Sequence, residues 1–206
     1  MVGVSGASGA AYSLRLLELL VGQGAEVHLV VTTHGRRLLA EEAGVRGLSP
    51  ADLLPPALAV PLTRSEVSGS RAPPEVVGRL IIHPNQDVGA AIASGSFLHD
   101  GMVILPCSSA SLGAVATGAG SNLLTRAAAV ALKERRPLIL CHRETPLALI
   151  DIENYRALTL AGAIICPTTP GLYLKPKRIE DLVDFIVGKT LDLLAVEHTL
   201  ATRWEG

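Results

Sequence analysis

The residues able to do chemistry fall at the ends of short apolar runs. Ser5 and Ser8 follow Val2 to Val4, and Thr32 follows Val27 to Val31. Ser108, Ser109 and Ser111 follow the run that starts at Met102, and Arg143-Glu144 follow the run from Leu138. Hydroxyls, an arginine and a carboxylate gathered in this way can hold an anion and move a proton beside it. The turn Gly3-Val4-Ser5-Gly6-Ala7-Ser8-Gly9-Ala10 stands between the first apolar residues and an amphipathic stretch, Tyr12 to Leu20. Strand, glycine-rich turn and helix in that order offer backbone N–H groups and a helix N-terminus to a phosphate. The glycines permit positive φ and close approach of a ligand, and Ser8 can cap the helix or donate to a phosphate oxygen. No Lys-Ser/Thr pair follows, so the turn is not a Walker A loop. Thr32-Thr33 stand where a dinucleotide site carries an acid for the ribose. The pattern therefore predicts a mononucleotide rather than NAD or FAD. The plain alternative for each serine taken singly is helix capping.

Such a site needs strands whose carboxyl ends meet on one rim. Candidate strands are Val2 to Val4, Val27 to Val31, Arg79 to Ile82, Met102 to Leu105, Leu138 to Cys141 and Ala163 to Ile165. Candidate helices are Ala10 to Gln23, Gly35 to Ala43, Ser109 to Thr117, Asn122 to Glu134, Asp151 to Ala161 and Ile179 to Leu194. Alternation of this kind predicts an α/β sandwich of three layers, a mostly parallel sheet with helices on both faces, in one domain over residues 1–206. The proline-rich stretch Gly44 to Gly78 reads as a surface excursion, and Pro167 to Pro176 as a candidate lid.

Composition narrows the function. Eighteen basic and nineteen acidic residues leave a formal charge of -1, and no basic stripe with interleaved aromatics points to nucleic acid. A hydrophobic share of 49% with only 3% aromatics suits helices packed closely on a sheet. No apolar run approaches the roughly 18 residues of a membrane span, and the N-terminus lacks a basic n-region, so a cytoplasmic enzyme is expected. Cys107, Cys141 and Cys166 are too scattered for a disulfide framework or a zinc site and read as small buried residues; the neighbours of Cys107 alone suggest exposure. The six histidines show no ligand spacing, with His28 and His34 expected to face solvent, and no metal site is expected. Glu180, Asp181 and Asp184 read as acids that complement a helix dipole. Trp204 beside Arg203 reads as a docked tail.

Several ordered segments then carry a family resemblance. They are Ser5 to Ala10, Ser94-Gly95-Ser96-Phe97, Gly101 to Ser108, Asn122 to Ala128, Leu132 to Leu138, Arg143-Glu144-Thr145-Pro146 and Pro170-Gly171-Leu172-Tyr173. Together they resemble the UbiX-type flavin prenyltransferases over nearly the whole chain apart from the Gly44 to Gly78 stretch. The resemblance implies a flavodoxin/Rossmann-like flavoprotein that prenylates reduced FMN at N5 and C6 with dimethylallyl monophosphate. The product would be prenylated FMN, supplied to UbiD-type decarboxylases. By the same resemblance Gly6, Ala7, Ser8, Thr32, Ser108, Ser109, Ala110, Ser111 and Arg143 bind FMN. Lys133, Arg143, Tyr173 and Lys189 hold the prenyl phosphate, with Arg126 nearby. Lys189 stands where arginine is usual, which keeps the charge and gives up the bidentate fork. Glu42 and Glu144 match the active-site acids, with Glu41 beside Glu42 leaving that assignment open by one residue, and Lys133 joins them as a catalytic cation. Homo-oligomerisation is expected on the same ground. Two rivals are an FMN-dependent cysteine-type decarboxylase, whose Pro-x-Met-Asn motif is not visible here, and a non-catalytic flavin-binding module.

Overall fold

The computed structural model describes residues 1–59 and 78–202. Pro61, Pro73 and Pro74 of the excursion and the Arg203-Trp204 tail lie outside the described residues. Six strands, β1 (Val2–Val4), β2 (Glu26–Val31), β3 (Arg79–His83), β4 (Met102–Cys107), β5 (Leu138–His142) and β6 (Ile164–Ile165), form one sheet in the order β3-β2-β1-β4-β5-β6, every pair parallel. The helices are α1 (Ala10–Gly22), α2 (Thr33–Ala43), the short α3 (Pro50–Leu53), α4 (Ser109–Ala116), α5 (Leu123–Lys133), α6 (Leu149–Leu160) and α7 (Ile179–Leu193). The strand order reverses between β1 and β4. Turns leaving adjacent strands there head for opposite faces, which opens a crevice at the carboxyl ends.

Alternation along the strands sorts two cores. Val27, Leu29 and Val31 of β2, Val103 and Leu105 of β4, and Ile139 and Cys141 of β5 pack on the side of α1, α2 and α7. Val30, Met102, Ile104, Leu138 and Leu140 pack on the other, against α4, α5 and α6. Cys107 joins the second set although it lies three residues from Ile104, because the β4–β5 register shifts between them. That shift is the local irregularity from which the Ser108 turn leaves the sheet.

Two glycines let the first turn and α2 meet at backbone distance. A Cβ on Gly6 would lie 2.5 Å from the His34 Cβ, and one on Gly35 would lie 2.6 Å from the Val4 carbonyl oxygen. No helix of the described residues is long and apolar enough to cross a membrane. Within the excursion, the Ser49 N–H donates to Asp52 at 2.8 Å at the start of α3, a short element the composition does not announce.

Candidate functional site

The rim is built by hydroxyls that close turns. Ser5, fully buried, donates to the Pro106 carbonyl (3.0 Å) and accepts from the Ser108 N–H (2.8 Å), locking the ends of β1 and β4 together. Thr32 accepts from the Gly35 N–H (3.0 Å) at the start of α2. Ser108 does the same for α4, accepting from the Ser111 N–H at 3.3 Å while its own hydroxyl donates to Ser111. Capping thus accounts for Thr32 and Ser108. Ala110 stays exposed on the first turn of α4.

The glycine turn departs from the expectation for it. Ser8 does not cap α1; the N-cap is Gly9, at φ 133°, with no side-chain cap of its own. The N–H groups of Gly9 and Ala10 are instead taken by Glu42, whose Oε2 accepts from both at 2.9 Å. The first turn of α1 holds no acid, so a carboxylate from α2 complements its partial positive charge. Two of the donors offered to a phosphate are therefore already engaged. Burial alone would raise the Glu42 carboxyl; the Ala10 and Gly9 N–H groups, the Ser8 hydroxyl and the charge of Arg143 outweigh it and hold the group below the usual carboxylate range. Glu41 instead pairs on the exposed face of α2 with Arg37 (2.7 Å), one helical turn before it. Of the two neighbouring acids, Glu42 is the one at the rim.

Arg143 leaves β5 with its backbone N–H on the Cys107 carbonyl (3.1 Å). Its Nε is buried with no hydrogen-bond partner, a donor aimed where protein supplies no acceptor. Glu144, exposed beside it, accepts from the Thr145 N–H (3.1 Å). Arg143 and Glu144 line a cavity of about 360 Å³ that Pro146, Tyr155, Pro167 and Thr169 help to close. Tyr173 is half exposed on the Pro167–Pro176 segment, with its ring edge-on to Phe185 at 5.7 Å. Lys189 is exposed on α7; the free Cys166 thiol just past β6 is lowered chiefly by a hydrogen bond with the Cys141 thiol, and further by the charge of Lys189.

Lys133 does not join this group. It ends α5, about 15 Å along the axis from the start of that helix, and leads into the amino end of β5. There it pairs with Glu134, beside Gly95. Arg126, exposed on the first turns of α5, lies against Gly120. One chain therefore brings Glu42, Ser8 and Arg143 within electrostatic reach of one another and leaves Lys133 at the opposite edge of the sheet.

Two further expectations change. Cys107 is fully buried, and burial pushes its thiol up to about 12, which removes it as a nucleophile. His28 does not face solvent: its ring meets His83 (2.8 Å) and Glu26 (3.0 Å) and lies edge-on to Phe97. His142, one residue before Arg143, is buried and bonded through both ring nitrogens, to Ser109 (3.0 Å) and Tyr155 (2.7 Å). Sequence reasoning missed this pair of contacts, although His142 continues the alternation of Leu138 and Leu140 and so had to enter the α4–α6 core. Glu180 and Asp181 stand in the first turn of α7 as the dipole reading expects, whereas Asp184 lies past it and is spent on an ion pair with α1. Asp181 accepts from the Lys177 and Arg178 N–H groups, and Asp184 pairs with Arg15 (2.8 Å).

A doubly wound parallel sheet whose switch point carries turn-closing hydroxyls, an acid on a helix N-terminus and an arginine with a buried, unpaired Nε defines an α/β protein built to bind an anionic nucleotide. The family model described as Flavoprotein matches residues 1–191. The flavin prenyltransferase UbiX of Halalkalibacterium halodurans is 41% identical over 203 residues, covering 98% of this chain and 91% of the relative. A crystal structure of AnUbiX in complex with FMN and dimethylallyl pyrophosphate superposes with a TM-score of 0.82 at 35% identity, covering 100% of this chain and 96% of that one. A dodecameric FMN-dependent UbiX-like decarboxylase from Escherichia coli superposes at 0.80 with 34% identity, covering 100% and 98%. The chain belongs to the Flavoprotein family and, within it, to the UbiX-type flavin prenyltransferases.

Proposed function

We propose that the protein transfers a dimethylallyl group from dimethylallyl monophosphate to N5 and C6 of reduced FMN, and that the prenylated FMN it releases serves a UbiD-type decarboxylase. The observation that carries this reading is Arg143. Its buried, unpaired Nε on the switch-point side of β5 fits the phosphate of a departing prenyl donor, and its charge reaches the Glu42 carboxylate across the crevice. Gly6, Ala7 and Ser8, with Thr32 and the Ser108 to Ser111 turn, follow the carboxyl ends of β1, β2 and β4, the rim on which FMN would lie. With Gly9 and Ala10 already engaged, the nucleotide would rely on the turn before them and on the starts of α2 and α4. Allyl transfer leaves growing negative charge on the phosphate, and Arg143, Lys189 and the Tyr173 hydroxyl would neutralise it as the carbon–oxygen bond breaks. Closing the new ring removes a proton from flavin C6. Glu144, exposed on the same turn as Arg143, would accept or relay that proton.

Lys133 can serve this reaction only from a second copy of the chain, since α5 carries it to the far edge; Arg126, on the first turns of the same helix, would come with it. A homo-oligomer that sets one subunit's α5 against another's rim supplies them, and the dodecameric relative supports such an assembly. The donor is tested by steady-state turnover of reduced FMN with dimethylallyl monophosphate and with the diphosphate in parallel. A kcat/KM at least about 10-fold higher for the monophosphate is expected; preference for the diphosphate would replace it as the substrate.

A further inference from the structure

The turn from Arg143 to Ala148 hangs between two fixed points, and one buried chain of side chains makes both. At its start, His142 is 1% exposed, with Nε2 at 3.0 Å from the Ser109 Oγ of α4 and Nδ1 at 2.7 Å from the Tyr155 hydroxyl of α6. At its end, Asp151 of α6 accepts the Ala148 N–H at 3.0 Å through Oδ2. Its Oδ1 is buried without a close partner, and the Ser109 hydroxyl faces this carboxylate.

The polarity of the chain follows from counting protons. A carboxylate only accepts, so the single Ser109 proton is best spent on Asp151, where it relieves a buried unsatisfied oxygen. The Ser109 oxygen must then accept from His142, which puts the imidazole proton on Nε2. Nδ1 is left as an acceptor, and Tyr155 donates to it. The reverse polarity would turn the Ser109 proton toward His142 and leave Asp151 Oδ1 unpaired. Burial disfavours the imidazolium; the charges facing the ring are Asp151 and Glu144, which favour it, and Arg143, which opposes it.

We propose that His142 is a positioning residue: held as the neutral Nε2–H tautomer between Tyr155 and the Ser109–Asp151 pair, it fixes the direction in which Arg143 and Glu144 leave β5. The inference rests on the functional reading above for what those two residues do. Nitrogen-15 NMR of the purified protein reads the tautomer without any turnover. The expected spectrum has His142 Nδ1 unprotonated and Nε2 protonated at neutral pH, and Tyr155→Phe, which removes the donor to Nδ1 found among the described residues while keeping the ring, should leave Nε2 protonated toward Ser109 and shift the Nδ1 resonance that loses its hydrogen bond. The same variant should keep FMN affinity and lose kcat/KM for dimethylallyl monophosphate on the order of 10- to 100-fold, the range a small misplacement of reacting groups produces. A protonated Nδ1 in the wild-type protein, or wild-type kinetics in Tyr155→Phe, would overturn the proposal. A wild-type protein that binds FMN and prenylates nothing would instead overturn the functional reading, with the tautomer measurement still deciding the hydrogen-bond chain.

Discussion

The two ends of the sheet carry similar residues and treat them differently. At the amino ends of the strands, Lys133 pairs with Glu134, Arg136 donates to the carbonyls of Gly95 and Phe97, and Glu26 meets His28 at 3.0 Å. A cavity of about 300 Å³ lies there too, walled by Leu20, Phe97, Leu98 and Val196. At the carboxyl ends, Arg143 keeps a buried Nε unpaired, and Glu42 is held ionised on the N-terminus of α1. Cavity size does not separate the two edges. What separates them is whether charge is spent within the chain or left to meet a ligand, and a parallel sheet favours the carboxyl edge because its turns and helix N-termini converge there.

The largest effect is expected at the carboxyl edge. Glu144→Gln keeps the side chain's shape and removes its basicity, so FMN affinity should hold while prenylation falls about 100- to 10,000-fold, the usual contribution of a general acid or base. Single-turnover kinetics check it, and a wild-type rate would take Glu144 out of the proton path. The amino edge can be tested through assembly. Lys133→Ala and Arg143→Ala should each be inactive alone, yet subunits dissociated and reassembled as a mixture should regain part of the activity, because some sites would pair an intact Arg143 rim with an intact Lys133 from another copy. No recovery in mixed assemblies would return Lys133 to its pair with Glu134.

How much of this contrast was legible from the chain depends on how local the cause is. Each candidate strand and helix falls within two residues of its observed limits, since apolar alternation and turn residues act over a few positions. The rim itself was also legible, because polar residues followed four apolar runs. Glu42 on Gly9 and Ala10 was not, because that contact spans more than thirty positions and adjacent acids on a helix look alike until its roughly 100° per residue points one at each neighbour. Lys133 was a missed inference rather than a hidden one. A residue that closes a helix just before a parallel strand must lie at that strand's amino end, whatever the resemblance assigns to it. Ser109, named for flavin binding, turned out to face His142 and Asp151, and no spacing signal links those three.

Two smaller effects sharpen the comparison further. Lys189→Ala should raise the KM for dimethylallyl monophosphate about 10-fold with FMN affinity unchanged, and Lys189→Arg should retain most activity because charge is kept and the fork suits phosphate. An unchanged KM and rate would make Lys189 an exposed lysine of α7 and nothing more. Glu42→Gln should weaken the start of α1 by about 1 kcal/mol, as loss of a cap does, lowering Tm by about 2–4 °C. Because the folded-state pKa of Glu42 lies below its ordinary value, its contribution is fully present above the ordinary carboxylate range and is lost as pH falls through the folded value. Thermal melts of wild type and variant should therefore converge in acid; a gap that persists there would show that the carboxylate is not the cause.

The most direct test of the account is the mass of the flavin. The purified protein is incubated anaerobically with reduced FMN and dimethylallyl monophosphate, and the flavin is extracted and its mass spectrum taken. A flavin heavier by one five-carbon prenyl unit, absent when Arg143→Ala replaces the wild type, is the predicted result. Recovery of FMN alone from a protein shown to bind it would contradict the account.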